Sequence, residues 1–146
     1  MRGSNEVGRR TWIDSGIWFE TRKLTAQERD LYLHLLVNEN GNSAGYYKLN
    51  TVHLAADMGI SEVALIELLK KDTKYWMYDA ETEQVLLPKY TKYNAVKGEP
   101  QIKRLNTDLA QLSPCRLHKE FVKAWVACNG IGADELIDDK FKHYNR

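Results

Sequence analysis

The chain has 146 residues, 43% apolar and 28% charged, a composition typical of a globular domain with a hydrophobic core. Its 21 basic residues nearly balance 20 acidic residues, and the net charge of +1 argues against a strongly basic duplex-DNA binder. No apolar run is long enough to span a membrane and no secretory signal occurs, so we expect a cytoplasmic protein whose Cys115 and Cys128 stay reduced.

Residues 1–20 are predicted to form a basic and aromatic N-terminal arm. The first ten residues include Arg9 and Arg10 and are predicted to be a flexible segment. Residues 12–19 are too aromatic to remain in water, so we expect them to cover the hydrophobic core as a strand or a short helix. The alternative for their tryptophans is an exposed interaction surface.

A helix is predicted to begin after Thr25. Thr25 and Glu28 have the spacing of a capping box, in which each side chain bonds the backbone N–H of the other residue. Leu31 and Leu35 recur at helical spacing and form the inner stripe of this helix. Residues 44–49 are aromatic and contain a glycine, which favours a short strand after the helix.

Residues 51–71 are predicted to form two short helices joined by a tight turn at Gly59, since apolar residues recur at helical spacing on both sides of it. The inward side chains are Leu54, Ala55, Met58, Ile60, Leu65 and Leu68. Apolar strands at 75–78 and 85–87 then flank a polar loop, the pattern of a β-hairpin. The order helix, strand, two helices and hairpin predicts a winged helix-turn-helix over residues 21–93, with a small three-stranded antiparallel sheet.

Residues 94–146 are predicted to be a C-terminal helical extension, which makes the overall class α+β and mainly helical. Residues 88–100 interleave basic and aromatic side chains and are interpreted as a linker. Pro100 suits the first turn of a helix, and apolar residues follow it at helical spacing. Ser113 and Pro114 are predicted to cap and begin a further helix.

No constellation of residues in the sequence supports catalysis, a metal site or a cofactor site. The histidines lack partners at metal-ligand spacing. They are His34, His53, His118 and His143. The motifs of a glycine-rich phosphate loop, a nucleophile elbow and a dinucleotide-binding turn are missing from the sequence. We therefore expect a non-catalytic protein without a metal or cofactor, and without a membrane partner.

Several residues and short motifs match one known family. They are Trp18, Arg22-Lys23-Leu24-Thr25, Glu28-Arg29, the leucine-rich segment 31–36, Asn38, Asn42, Gly45, Tyr46, Tyr47 and Lys92-Tyr93-Asn94 before a proline-led helix. Over residues 12–112 the chain resembles winged-helix phage replisome organisers, relatives of the N-terminal domain of the primosomal protein DnaD. The resemblance implies a protein that initiates phage or prophage DNA replication by binding an origin and recruiting host replication proteins such as a helicase loader.

The distribution of charge predicts which residues bind nucleic acid. The second helix of residues 51–71 carries Glu62 and Glu67 on its predicted outer face, and the hairpin loop is acidic, so both surfaces would repel phosphates. We therefore expect the arm and the basic strip after the hairpin to supply most of the affinity, with Tyr90 and Tyr93 stacking on bases. The candidate nucleic-acid-binding residues are Arg9, Arg10, Ser61, Lys70, Lys71, Lys89, Lys92, Lys97, Lys103 and Arg104.

Two other functions remain open from the sequence. The winged helix would serve equally well to contact another protein or a second copy of the chain, because the same fold is used for both purposes. A transcriptional regulator is a further alternative, and it would require a dimerisation helix and a ligand cavity.

Overall fold

The computed structural model describes residues 10–142, which contain eight α-helices and one open three-stranded antiparallel sheet. The helices are α1 (Ile17–Glu20), α2 (Ala26–Leu36), α3 (Thr51–Met58), α4 (Glu62–Leu69), α5 (Tyr90–Tyr93), α6 (Glu99–Ala110), α7 (Leu117–Asn129) and α8 (Asp139–Lys142), and a 3-10 turn covers Ala133–Leu136. The strands are β1 (Tyr46–Lys48), β2 (Met77–Asp79) and β3 (Gln84–Leu86). About half of the chain is helical, and the predicted α+β class is confirmed. Within the described residues no helix is long and apolar enough to cross a membrane.

The capping box that begins α2 is confirmed. The Thr25 hydroxyl accepts a hydrogen bond from the Glu28 N–H at 3.1 Å, and the Glu28 carboxylate accepts one from the Thr25 N–H at 2.9 Å. The second of these bonds is the largest reason why the pKa of Glu28 lies below its ordinary value. Leu31 and Leu35 of the predicted stripe are fully buried, so this helix contributes directly to the core.

The turn at Gly59 joins α3 and α4 as predicted. Gly59 has a φ of 72°, in the left-handed region that glycine adopts without strain. Its N–H and that of Ile60 donate to the last carbonyls of α3, which completes a Schellman motif. The Ser61 hydroxyl caps α4 by accepting from a first-turn backbone N–H at 3.1 Å. Thr51 Oγ1 donates to Glu62 Oε2 at 2.6 Å, so the first residues of the two helices are also tied together.

Both faces of the sheet are buried, and its two rows of side chains belong to different hydrophobic clusters. The predicted three-stranded antiparallel sheet is confirmed, with strand boundaries within two residues of the expected ones. β3 lies between β1 and β2 and pairs with both. The row that packs with α2, α3 and α4 consists of Tyr47, Val85 and Tyr78. The row that packs with α6 and α7 consists of Tyr46, Leu86 and Met77. Because side chains alternate along a strand, the three residues of β3 contribute side chains to both faces of the sheet.

A buried polar network joins the second face of the sheet to the segment before α7. The Gln84 side chain donates to the Ser113 carbonyl at 2.9 Å and accepts from the Ser113 N–H at 2.6 Å. The Tyr46 hydroxyl lies 2.7 Å from His118 Nδ1 and 3.3 Å from Cys115 Sγ. Tyr46, Gln84 and His118 are at most 4% exposed, so a polar atom left without a partner here would lower the free energy of unfolding.

Two predictions about the C-terminal half are wrong. Residues 88–100 are not a linker throughout, because they contain α5, whose Tyr90 is 4% exposed and packs against the sheet. A helix of four residues is too short to show a periodic pattern in the sequence. Ser113 and Pro114 do not begin α7, which starts at Leu117, because the backbone of Ser113 is held by the sheet.

The interpretation of residues 12–19 as core cover is only partly correct. The segment does contain a short helix, α1, and Ile17 is buried as part of the main hydrophobic cluster. Trp12, Trp18 and Phe19, however, are 78%, 57% and 71% exposed. One apolar residue is enough to anchor a four-residue helix, and the remaining aromatic side chains therefore stay at the surface. Arg9 and His143 lie outside the described residues.

We expect Gly45→Ala to destabilise the protein much more than Gly59→Ala. Both glycines have a positive φ, 67° and 72°, where alanine costs about 1–2 kcal/mol. A Cβ at Gly45 would also lie 2.3 Å from Cβ of Tyr90, whereas a Cβ at Gly59 would meet no atom within 4 Å. Urea unfolding should show a loss of about 1 kcal/mol for Gly59→Ala and about 3 kcal/mol or more for Gly45→Ala. Equal losses would contradict the close packing of Tyr90 on Gly45.

We expect stability to fall as the pH drops below 6.5, because of His118. Burial lowers the pKa of His118 from its ordinary value of 6.5 to about 4. Between pH 6.5 and pH 4 the unfolded chain therefore binds a proton that the folded chain does not bind. The free energy of unfolding is highest above pH 6.5 with respect to this group and falls progressively toward pH 4. The loss should be on the order of 2–3 kcal/mol in urea unfolding. This loss of stability should be smaller in His118→Gln. It should persist in His53→Gln, which changes an exposed histidine. An unchanged pH dependence in His118→Gln would contradict the assignment to His118.

Candidate nucleic-acid interface

A groove of about 690 Å³ brings together three of the predicted nucleic-acid-binding residues. They are Arg10 from the segment before α1, Lys97 from the loop after α5, and Arg104 from α6. All three side chains are exposed. We call this site the basic groove. Residues from three separate segments of the chain converge on it, so it depends on the tertiary structure and not on one basic run.

The side chain of Asn94 fixes the segment before α1, which forms one wall of the basic groove. Its Oδ1 accepts from the Trp12 N–H at 2.6 Å, and its Nδ2 donates to the Trp12 carbonyl at 3.3 Å. The amide thus pairs with the backbone of Trp12 much as a neighbouring strand would. Trp12 remains 78% exposed and is one of the residues that line the groove.

The opposite wall is formed by α6 and by the loop before β1. Asp108 is the acidic side chain in the described lining, and its Oδ2 accepts from both the N–H and the hydroxyl of Ser43, at 3.2 and 2.7 Å. Gln101 Oε1 accepts from the Lys97 N–H at 2.7 Å and so fixes the loop that carries this cation. The Asp108 carboxylate therefore has hydrogen-bond donors of its own, while the cations of the groove outnumber it.

Tyr93 borders the basic groove, but its hydroxyl is used within the protein. It donates to Glu20 Oε1 at 2.7 Å, and this bond is the largest of the causes that raise the pKa of Tyr93 to about 12. Lys92 lies next to it, with Nζ 5.3 Å from the centroid of the Tyr93 ring. The predicted stacking role of Tyr90 is wrong, because the ring of Tyr90 is buried in the core.

The other predicted cations do not line the basic groove. Lys89 Nζ lies 3.6 Å from Glu20 Oε2, and Lys71 Nζ lies 3.4 Å from Glu28 Oε2. Lys103 borders a separate surface depression that also contains Glu135, Asp138 and Asp139. Lys70 is exposed at the end of α4, and the hydroxyl of Ser61 is occupied as the helix cap. These residues do not converge on one site, so each would contact a ligand only individually.

The outer face of α4 carries the two predicted carboxylates and, in addition, an exposed apolar side chain. Glu62 and Glu67 are exposed, and Val63 between them along the chain is 71% exposed. The hairpin turn adds exposed Glu81 and Glu83. A helix with this surface is poorly suited to the phosphate-lined major groove, which supports a binding site elsewhere.

Sequence reasoning missed the amide side chains that build the basic groove. Asn94 and Gln101 carry no charge, and although Asn94 belongs to a motif of the family resemblance, nothing in the sequence indicated that these amides bond the backbones of Trp12 and Lys97. The exposure of Trp12 also could not be read from its sequence position, because aromatic residues are usually buried. The accumulation of lysine and arginine after the hairpin did indicate Lys97 and Arg104, and the basic arm indicated Arg10.

Comparison with protein-family models, with curated proteins and with solved structures found no match to this chain. Between residues 10 and 142 no group of three or more His, Cys, Asp or Glu side chains is arranged to hold a metal ion.

Proposed function

We propose that this protein is a non-catalytic DNA-binding protein that initiates phage or prophage DNA replication, as its resemblance to replisome organisers implies. The observation that supports DNA binding is the convergence of Arg10, Lys97 and Arg104 on one groove. Arginine and lysine side chains neutralise backbone phosphates and release bound counterions, which dominates the affinity for nucleic acid. The partners would be DNA and a host replication protein such as a helicase loader.

We further propose that residues 21–93 are a winged helix in this protein. The order α2, β1, α3, α4 and the hairpin β2–β3 supports this proposal, as does the position of β3 between β1 and β2. The acidic outer face of α4 distinguishes it from a winged helix that reads bases with its second helix. In this proposal the winged helix is the scaffold, and the basic groove beside it supplies the affinity for DNA.

The double variant Lys97→Gln/Arg104→Gln should bind nucleic acid more weakly and with less salt dependence. Removal of two phosphate contacts should weaken binding about tenfold or more at moderate salt, and should reduce the slope of log K against log salt by about 1.4 for a single strand or 1.8 for a duplex. Gel shifts on single- and double-stranded DNA across a salt series measure both quantities.

The matched control is Lys71→Gln/Lys103→Gln, which removes the same charge from positions outside the basic groove. Its affinity and salt slope should stay close to those of the unmodified chain. Equal losses in the two double variants would show that net charge and not the basic groove controls binding, and would contradict the proposed site.

Self-association through α1 is the second candidate function, and one specific observation favours it. Trp18 and Phe19 expose 57% and 71% of their surface on neighbouring positions of α1. Arginines lie beside both rings, with Arg29 Cζ 5.8 Å from the Trp18 centroid and Arg22 Cζ 4.9 Å from the Phe19 centroid. Aromatic residues and arginine are the residue types enriched at protein–protein interfaces.

For this second function we expect the mass measured by light scattering to rise with protein concentration. Trp18→Ser/Phe19→Ser should keep the monomer mass at every concentration, because it removes the exposed rings without touching a buried residue. A monomer mass for the unmodified chain over the whole range would reject self-association.

A further inference from the structure

We infer that the basic groove takes single-stranded rather than double-stranded nucleic acid, with one unpaired base stacked on the indole ring of Trp12. The inference rests on the proposed function, because it specifies which form of nucleic acid the same groove accepts. The ligand chemistry is an unpaired base attached to a phosphate backbone, a description that fits single-stranded DNA and single-stranded RNA alike.

The exposed indole ring is the first observation. Trp12 is 78% exposed although tryptophan is among the most favourable residues to bury. Its backbone, and not its ring, is held in place, through the two hydrogen bonds with the Asn94 amide. A tryptophan that is positioned by its backbone and exposed at the groove offers a flat apolar surface to a ligand.

The cations around this ring are the second observation. Trp12 lines the same groove as Arg10, Lys97 and Arg104, so a flat aromatic surface and three phosphate-binding groups face one ligand. Proteins that bind single strands combine a basic groove for the backbone with aromatic rings for the bases. A basic groove with an aromatic ring suits a single strand because its bases can unstack from one another and stack on the side chain.

A duplex does not offer the same contact. The flat faces of its bases are covered by neighbouring base pairs, and only their edges are accessible in the grooves. A duplex would instead be read by a helix in the major groove, and the outer face of α4 carries Glu62 and Glu67 there. The exposed Glu81 and Glu83 of the hairpin turn would face the phosphates of such a duplex as well. The charge distribution therefore favours the single strand.

The test is fluorescence anisotropy with three labelled probes: a dT oligomer of about 20 nucleotides, the same strand annealed to its dA complement, and a U-RNA oligomer of equal length. We expect the single strands to bind at least about tenfold more tightly than the duplex. Trp12→Ala should weaken single-strand binding by about 5- to 150-fold, the equivalent of one lost base stack, and Trp12→Phe should retain most of the affinity. The ratio of the dT and U affinities tells whether the groove prefers DNA or RNA.

Trp18→Ala is the matched control, because Trp18 is also an exposed tryptophan on the N-terminal segment but does not line the basic groove. It should bind all three probes like the unmodified chain. The salt slope of Trp12→Ala should also be unchanged, since no charge is removed. Circular dichroism and thermal unfolding should be unaffected in both variants, which separates a lost contact from a lost fold.

Tighter binding to the duplex, or equal affinity of Trp12→Ala and Trp18→Ala for the single strands, would overturn the inference. In that case the Lys97→Gln/Arg104→Gln variant still tests the proposed function independently, because it measures phosphate contacts and not stacking. If the unmodified chain bound none of the probes, the proposed function and the inference would both be rejected.

Discussion

Burial of the central strand β3 on both faces is the constraint on which the rest of the structure depends. Val85 points into the cluster formed with α2, α3 and α4, while Leu86 points into the cluster formed with α6 and α7. Gln84 faces the second cluster and is 1% exposed, so its amide requires partners inside the protein. The backbone of Ser113 supplies two of them. The C-terminal helices are thereby attached to the sheet by directional hydrogen bonds as well as by apolar contact.

The basic groove is a consequence of this arrangement. The ring of Tyr90 packs over Gly45, which places α5 against the sheet and brings Asn94 next to Trp12. The chain then continues into α6, whose Leu105 is buried in the second cluster and whose outer face carries the cation at position 104. Packing forces that have nothing to do with a ligand therefore determine where the cations meet.

The molecule has one acidic surface and one basic surface. The outer face of α4 and the hairpin turn are acidic, while the basic groove gathers cations beside an exposed aromatic ring. Since the net charge is only +1, the attraction for an anionic polymer would be local and would fall steeply with salt. In our proposal one surface of the winged helix stays away from DNA while the segments packed next to it bind.

The local signals in the sequence were sufficient for the caps of α2 and α4, the turn at Gly59 and the three short strands, because each depends on residues a few positions apart. They also identified the cations of the basic groove as candidates. They failed for α5, for the start of α7 and for the exposure of Trp12, all of which depend on contacts between residues far apart in the chain, such as the pair Trp12 and Asn94. The sequence by itself thus determined the three strands and most of the helices, α5 and the start of α7 excepted. Only the tertiary structure decided which charged and aromatic side chains share one groove, because that depends on how two cores pack against opposite faces of one strand.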